Sequence, residues 1–339
     1  MPGFNCAPGE RPARTRREAG IDPVCHTLFG AALSRTGLGR RTGLGAAALV
    51  IGANLPDVDG LAYLNGPAAD LEWRRGWTHG ILALLVLPFL LTGGLLLFRR
   101  VRDLPRKAST RPVYPGQVLL LSAIAVLSHP ILDTLNTYGV RWLMPFSGTW
   151  FYGDSLFIVD PGLWLALALG IFYSRRRDKT HRPAPGRPAR VAIAVTAGYV
   201  LLMTGSGAAA RAMIRRDIES ISGAPVDRTM AAPVMVNPLV RRFVVQQGEQ
   251  YRVGRFSWLP DPHVSPSVET FERGPTSHPA VLAAAKTSLG RRFLLWARFP
   301  TFTVELRGPD QYLVHLVDLR YAERPGEEFG AVSIPVTLR

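Results

Sequence analysis

The residues best suited to chemistry are a few histidines and aspartates set in or beside apolar sequence. Asp57 and Asp59 stand in GANLPDVDG, His79 in RRGWTHG, His129 and Asp133 in SHPILDTLN, and Asp154 and Asp160 in FYGDSLFIVDPG. His129 and Asp133 are spaced i, i+4, so they share one face of a helix and can grip one ion. Asp57 and Asp59, at i, i+2, lie on one side of an extended chain, where one can ligate while the other orients or bridges. The same PDVDG string also makes a good turn. Imidazole nitrogen mixed with carboxylate oxygen suits zinc, with manganese or iron as alternatives. Bound zinc lowers the pKa of a water and polarises an ester or phosphoester oxygen, and Asp57, Asp59 and Asp160 are the candidate catalytic carboxylates. The competing reading has these groups making interhelical hydrogen bonds or pairing with arginines such as Arg75 and Arg141. No serine nucleophile elbow is present, and Cys6 and Cys25 fit no metal or redox spacing.

Four apolar segments must position these residues: Thr78 to Phe98, Gln117 to Thr137, Ser155 to Ser174 and Val191 to Ala210. A helix of about 20 residues crosses a hydrocarbon core of about 30 Å. The loops between the first two and the last two are rich in arginine, whereas Tyr138 to Asp154 holds only Arg141. Basic loops stay cytoplasmic, which places the loop with Arg141 outside. Arg11 to Arg17, Arg74 and Arg75 then fall on the outer side, against the rule. With that orientation His79 opens the first span at the outer face. His129 lies roughly 12 Å below that face, Asp133 roughly 6 Å and Asp160 about 8 Å, so all share one slab. Ionisable groups inside spans are costly and are usually paired or functional. Ahead of the spans, His26 to Ser34 and Leu44 to Leu55 are apolar but short, separated by the Gly- and Arg-rich Arg35 to Gly43. They are expected to form a tilted or re-entrant hairpin that returns Asp57 to the side where it began, covered by the four spans.

Across the 339 residues, 47% are hydrophobic and 19% charged. The net charge of +15 sits in clusters flanking the apolar runs, which argues for membrane loops over nucleic acid, and no nucleic-acid partner is expected. Residues 1–20 are polar and basic without a following hydrophobic region, and are expected to be a disordered extension. From about Arg211 the sequence turns polar with strand-like alternation at Arg242 to Gln247, Gln250 to Trp258, Arg292 to Phe299, Thr301 to Arg307 and Tyr312 to Leu319. His278 to Lys286 reads as a short helix. The expected fold is therefore a mainly α-helical membrane domain over 21–210, with about four transmembrane helices and an N-terminal short helical hairpin. A small β-rich soluble domain over 211–339 follows on the extracytoplasmic side.

The stretches DPVCHTLFGAALSRTGLG, IGANLPDVDGLAYL, RRGWTHGILALLVLP, SHPILDTLNTYGVRWLMPFS and WFYGDSLFIVDP, covering roughly Asp22 to Ile171, resemble the predicted membrane-bound metal-dependent hydrolases, the YdjM/YfhP-like inner membrane proteins. The resemblance implies ligands at His26, Asp57, Asp59, His79, His129 and Asp133, and it is what selects His26 and the word hydrolase. The order His, Asp, His, His-x-x-x-Asp is also similar to zinc-dependent phospholipase C enzymes. Some relatives carry a further histidine just ahead of the Arg-Gly, where this chain reads Glu72, Trp73, Arg74, which puts one metal position in question.

The leading expectation is a multi-pass inner-membrane hydrolase, with zinc the first-choice metal and membrane lipids and an ester or phosphoester, a lipid among the candidates, as partners. The alternative is a non-enzymatic scaffold or envelope stress protein with a structural His/Asp cluster. Clustering at one face and the absence of repeats count against a transporter.

Overall fold

The computed structural model describes residues 23–102, 111–326 and 329–338. The basic extension expected over 1–20 lies outside the described residues.

Two short helices open the chain, α1 (Pro23–Arg35) and α2 (Gly45–Gly52), followed by a 3-10 segment, Leu55–Asn65, and a short helix, α3 (Pro67–Trp73). Then come α4 (Ile81–Val101), α5 (Pro115–Thr134), α6 (Pro161–Lys179) and α7 (Arg187–Ser222). The α1–α2 hairpin packs between α5 on one side and α6 on the other, with α4 outside α5 and α7 outside α6. The approach is close because small residues meet. A Cβ on Gly30 of α1 would lie 2.6 Å from the Leu49 carbonyl oxygen and 2.9 Å from the Ala53 Cβ. Gly52 of α2 sits against Ala125 of α5 in the same way, and Gly170 of α6 against Ala192 of α7. Small residues at such crossings are how apolar helices pack where no hydrophobic drive separates them from lipid.

The hairpin's turn lies at the basic end of the bundle. Arg40 and Arg35 pair with Asp178 of α6 at 2.7 and 3.4 Å, and the Gly43 N–H donates to Pro112 O, just ahead of α5. His26 and Asp57 stand together at the opposite end, as the hairpin reading required. α4, α5 and α7 are long and apolar enough to cross a membrane. The segment expected to span from Ser155 behaves differently. Its helix begins only at Pro161, because Asp160 caps it with a hydrogen bond from Leu163 N and proline suits the first helical position. Its apolar part ends at Ser174, before Arg175–Arg177, so the apolar stretch of α6 is shorter than those of α4, α5 and α7.

α7 also departs from expectation. It continues unbroken past Ala210, and its polar last turns bury Ala210, Ile214 and Ile218 against Phe243 and Phe256 of the first sheet. That sheet comprises β1 (Arg228–Val234), β2 (Asn237–Gln247), β3 (Gln250–Ser257), β4 (His263–Val264) and β5 (Glu269–Glu272), all antiparallel, with β4 and β5 both pairing β3. After α8 (Pro279–Lys286) and α9 (Ser288–Trp296), β6 (Pro300–Gly308), β7 (Gln311–Asp318) and β8 (Ala331–Thr337) form a second antiparallel sheet. The strand expected at Arg292 to Phe299 is instead mostly α9. Thr287 caps that helix through Gly290 N, and Gly290, Phe293 and Trp296 bury one face at helical spacing.

The second sheet seats on the loop that follows α5. Tyr138 and Trp150 share a core with Phe293, Trp296 and Val314. The buried Arg320 pairs with Asp318 at 2.8 Å and donates to Thr137 O and Trp296 O. Arg298 reaches Asp154 at 2.8 Å. The C-terminal sheets therefore cover the end of the bundle opposite the basic loops.

Candidate metal centre

Three chain segments converge beneath that cover. α5 contributes His129 and Asp133 on one face, as their spacing demands. Pro130 between them forgoes one backbone hydrogen bond within the helix. The 3-10 segment contributes Asp57 and Asp59. The turn ahead of α4 contributes Arg75, Thr78 and His79. Arg75 holds a left-handed backbone (φ 49°), unfavourable for a non-glycine residue, and this aims its own N–H at Asp59 Oδ2, 2.8 Å away. At the next position Gly76 leaves room for the Arg141 guanidinium, whose nearest atom would lie 2.4 Å from any Cβ there.

The imidazoles are oriented from behind. His129 Nδ1 lies 2.7 Å from the Ala53 carbonyl, which can only accept, so Nδ1 carries a proton and Nε2 presents its lone pair. His79 Nδ1 lies 3.1 Å from Asp59 Oδ2, and Thr78 Oγ1 donates to that same oxygen at 2.6 Å. The two Nε2 atoms then face each other at 3.1 Å. Two lone pairs at that distance repel unless a proton or a cation lies between them. Asp133 Oδ2 is 3.4 Å from His79 Nε2 and 3.6 Å from His129 Nε2, and Asp57 Oδ1 is 3.5 Å from His129 Nε2. One ligand atom from each of Asp57, His79, His129 and Asp133 lies within 4.8 Å of the others.

Burial makes this grouping costly without a cation. His79 and His129 are fully buried, Asp133 nearly so, and Asp57 Oδ2 is enclosed without a hydrogen-bond partner. Arg75 lies along Asp133, its Nη2 donating to Oδ1 at 3.0 Å and its Nε 2.9 Å from Oδ2 in an ion-pair contact. With neutral imidazoles, Asp57, Asp59 and Asp133 against Arg75 leave a formal charge of −2, from three carboxylates and one guanidinium. A divalent cation balances that charge. Without metal, a proton on His79 does part of the work. Burial opposes it, but hydrogen bonds to Asp133 and Asp59 hold the His79 pKa up at about 9.

The expected residues do not all take the same part. His26 joins the cluster from α1, its ring stacked on His129 with centroids 3.7 Å apart and its Nε2 3.3 Å from Asp133 Oδ1. It stands outside the four-ligand group, with its buried Nδ1 lacking a hydrogen-bond partner. Asp59 stands behind His79. Asp160 is the correction: it caps α6 and accepts a hydrogen bond from Tyr199 at 2.9 Å, so its carboxylate is used away from the cluster. Depth along a helix says nothing about lateral position, which is why the shared-slab argument drew it in. Of the two arginines considered as partners, Arg75 meets Asp133, whereas Arg141 donates to the carbonyls of Glu72 and Arg74. Arg74 pairs with Asp70 at 3.3 Å. Asn136, unremarked in the sequence, accepts from Arg75 Nη1 at 2.9 Å from just past the end of α5; its place three residues after Asp133 was the available signal.

Comparison with known proteins agrees with this picture in outline. A family model described as YdjM inner membrane protein matches residues 21–210. The chain is 25% identical over 288 residues to the uncharacterized protein YfhP of Bacillus subtilis (strain 168), covering 84% of this chain and 80% of that protein. No solved structure matches.

Proposed function

The chain belongs to the YdjM inner membrane protein family, and on that premise we propose that its His/Asp centre holds a divalent metal ion and hydrolyses an ester or phosphoester bond at the outer face of the membrane. The observation that carries this reading is the facing pair of imidazole Nε2 atoms, each ring fixed from behind by a backbone carbonyl or a carboxylate. His79, His129, Asp133 and Asp57 are the ligands, and zinc is the first choice for two nitrogens and two carboxylates. Bound there, the ion supplies Lewis acidity and a water acidic enough to act near neutral pH. The chain's own part is positional. Ala53 O and Asp59 set the rings, Arg75 neutralises one carboxylate, and Asp57, the half-buried member, is placed to accept a proton. Orientation follows from charge: Arg35, Arg40, Arg99, Arg100 and Arg175–Arg177 gather at one end, which this reading makes cytoplasmic. The arginines at the site end are buried in ion pairs or carbonyl contacts, which removes much of their weight against that assignment.

The test is turnover. Full-length protein in lipid nanodiscs, loaded with zinc, manganese or iron, should release chromophore from phosphoester or carboxylester probes, and Asp57→Asn should lose that release while remaining folded. Metal-loaded wild type that cleaves no such probe would overturn the hydrolase reading. One observation favours a scaffold instead: the Arg75–Asp133 pair already neutralises one buried carboxylate, as a purely structural network would. Under that reading Asp57→Asn changes stability and nothing else.

A further inference from the structure

The first C-terminal sheet does something its composition does not ask of a soluble domain. β1 leaves the end of α7 and runs back down that helix, so the β1–β2 turn lies deep beside the bundle. The depth can be read from hydrogen bonds. Thr204 of α7 donates to Ser155 Oγ at 3.0 Å, and Ser155 N donates at 2.8 Å to Leu135 O, the first residue beyond α5, so Thr204 is level with the site end of that spanning helix. The turn reaches lower, lining one crevice with Val195 and Tyr199, which lie five to nine residues back along α7 and therefore about 8 to 13 Å below that level.

The tip is built for hydrocarbon. Met235 and Val236 are 59% and 73% exposed, and Pro233 and Pro238 on either side bring no backbone N–H. Val236 has φ 67°, a conformation that glycine or asparagine takes readily and a β-branched residue does not. The chain thus accepts strain to hold an apolar side chain outward, where water gives no return and lipid would. Between the tip and the first turns of α6 is a crevice of about 290 Å³, walled by Phe157, Leu163 and Ala166, with Val195 on the α7 side. Of its polar residues, Asp160 and Tyr199 are hydrogen-bonded to each other and Asn237 Oδ1 accepts from Leu239 N, which leaves the Thr196 hydroxyl as a lone small polar group in the wall. On the same helix as Leu163 and Ala166, Leu165 and Leu169 are exposed.

We propose that the β1–β2 hairpin is a membrane-inserted wedge and that the crevice it roofs takes the acyl chain of a bilayer lipid. The occupant is a hydrocarbon chain and not a headgroup, because the walls are mostly apolar and no lysine, arginine or histidine lines the crevice to meet a phosphate. This site is separate from the metal centre and does not depend on hydrolysis.

The experiment uses full-length protein in vesicles of phosphatidylethanolamine and phosphatidylglycerol carrying a trace of lipid with a diazirine on its acyl chain. After irradiation, labelled residues are mapped by mass spectrometry. Label is expected on residues 233–238 and on the first turns of α6, beside label on α4 at Phe89 and Leu90. Ala166→Trp, which fills the crevice, should abolish the label on the first turns of α6 and keep that on α4 and on the exposed Met235. Val236→Asn, which accepts the left-handed backbone and should fold, should lose label at the tip. Label on α4 with none on 233–238, or label on the first turns of α6 unchanged by Ala166→Trp, would overturn the proposal. So would labelling of the tip by a water-soluble diazirine alone.

Discussion

Asp59 and the Ala53 carbonyl set the chemistry of the centre without being among its closest ligands, because each decides which nitrogen of a histidine faces inward. Asp59→Asn should therefore keep the fold but weaken metal affinity by about 10- to 100-fold, measured by competition with a chelating dye. His79 gives a pH dependence with a definite sign. Its pKa is raised to about 9 in the metal-free state. Stability from its imidazolium is then fully present below its ordinary value near 6.5 and is lost as pH rises through about 9. Chelator-stripped protein in detergent should lose on the order of a few kcal/mol across that window, read by thermal unfolding. Unchanged stability between those limits would contradict the assignment. The ligand candidates were legible in the sequence because histidine and aspartate inside apolar runs are too costly to be idle. Asp160 was equally visible and served another purpose, since an aspartate before Pro161 reads as a helix cap as readily as a ligand. Ala53 left no trace, because a backbone carbonyl has no side-chain signature.

The α1–α2 hairpin is the element on which the centre depends. Gly30 lets α1 lie against Leu49 and Ala53, and Ala53 O in turn holds His129. Gly30→Ala should push that contact apart, costing about 1–3 kcal/mol by overpacking and lowering metal affinity together. A stability loss with unchanged affinity would show that the hairpin and His129 are not coupled. Hairpin length hid this role in the sequence: neither helix reaches the length of a span, and only packing reveals that their turn meets Asp178 and Pro112 at the basic end. The third apolar segment misled for a related reason, since hydropathy ran through Phe157 and Val159 while Pro161 set where the helix starts. Likewise Arg292 to Phe299 alternates like a strand, yet the Thr287 cap commits it to a helix.

At the scale of the molecule, a few arginines, Arg241, Arg298 and Arg320, join the helical bundle to the sheets. Arg320 joins Asp318, Thr137 O and Trp296 O, and stacks near Tyr152, Trp296 and Tyr321. Arg320→Met leaves Asp318 buried beside an uncharged neighbour, and should cost about 3–5 kcal/mol by thermal unfolding while exposing the linkage to protease. The division into an apolar helical part and a strand-rich part was legible from hydropathy and alternation. That the second part sits directly over the His/Asp centre was not, because contacts such as Arg320 to Thr137 join residues far apart in the chain. Metal content tests directly whether that centre is a metal site. Full-length protein purified without chelator, then equilibrated with zinc or manganese and desalted, should retain a stoichiometric divalent ion by elemental mass spectrometry. A folded His79→Ala, His129→Ala double variant treated alike should retain none. Wild type that keeps no more metal than the variant would contradict the account.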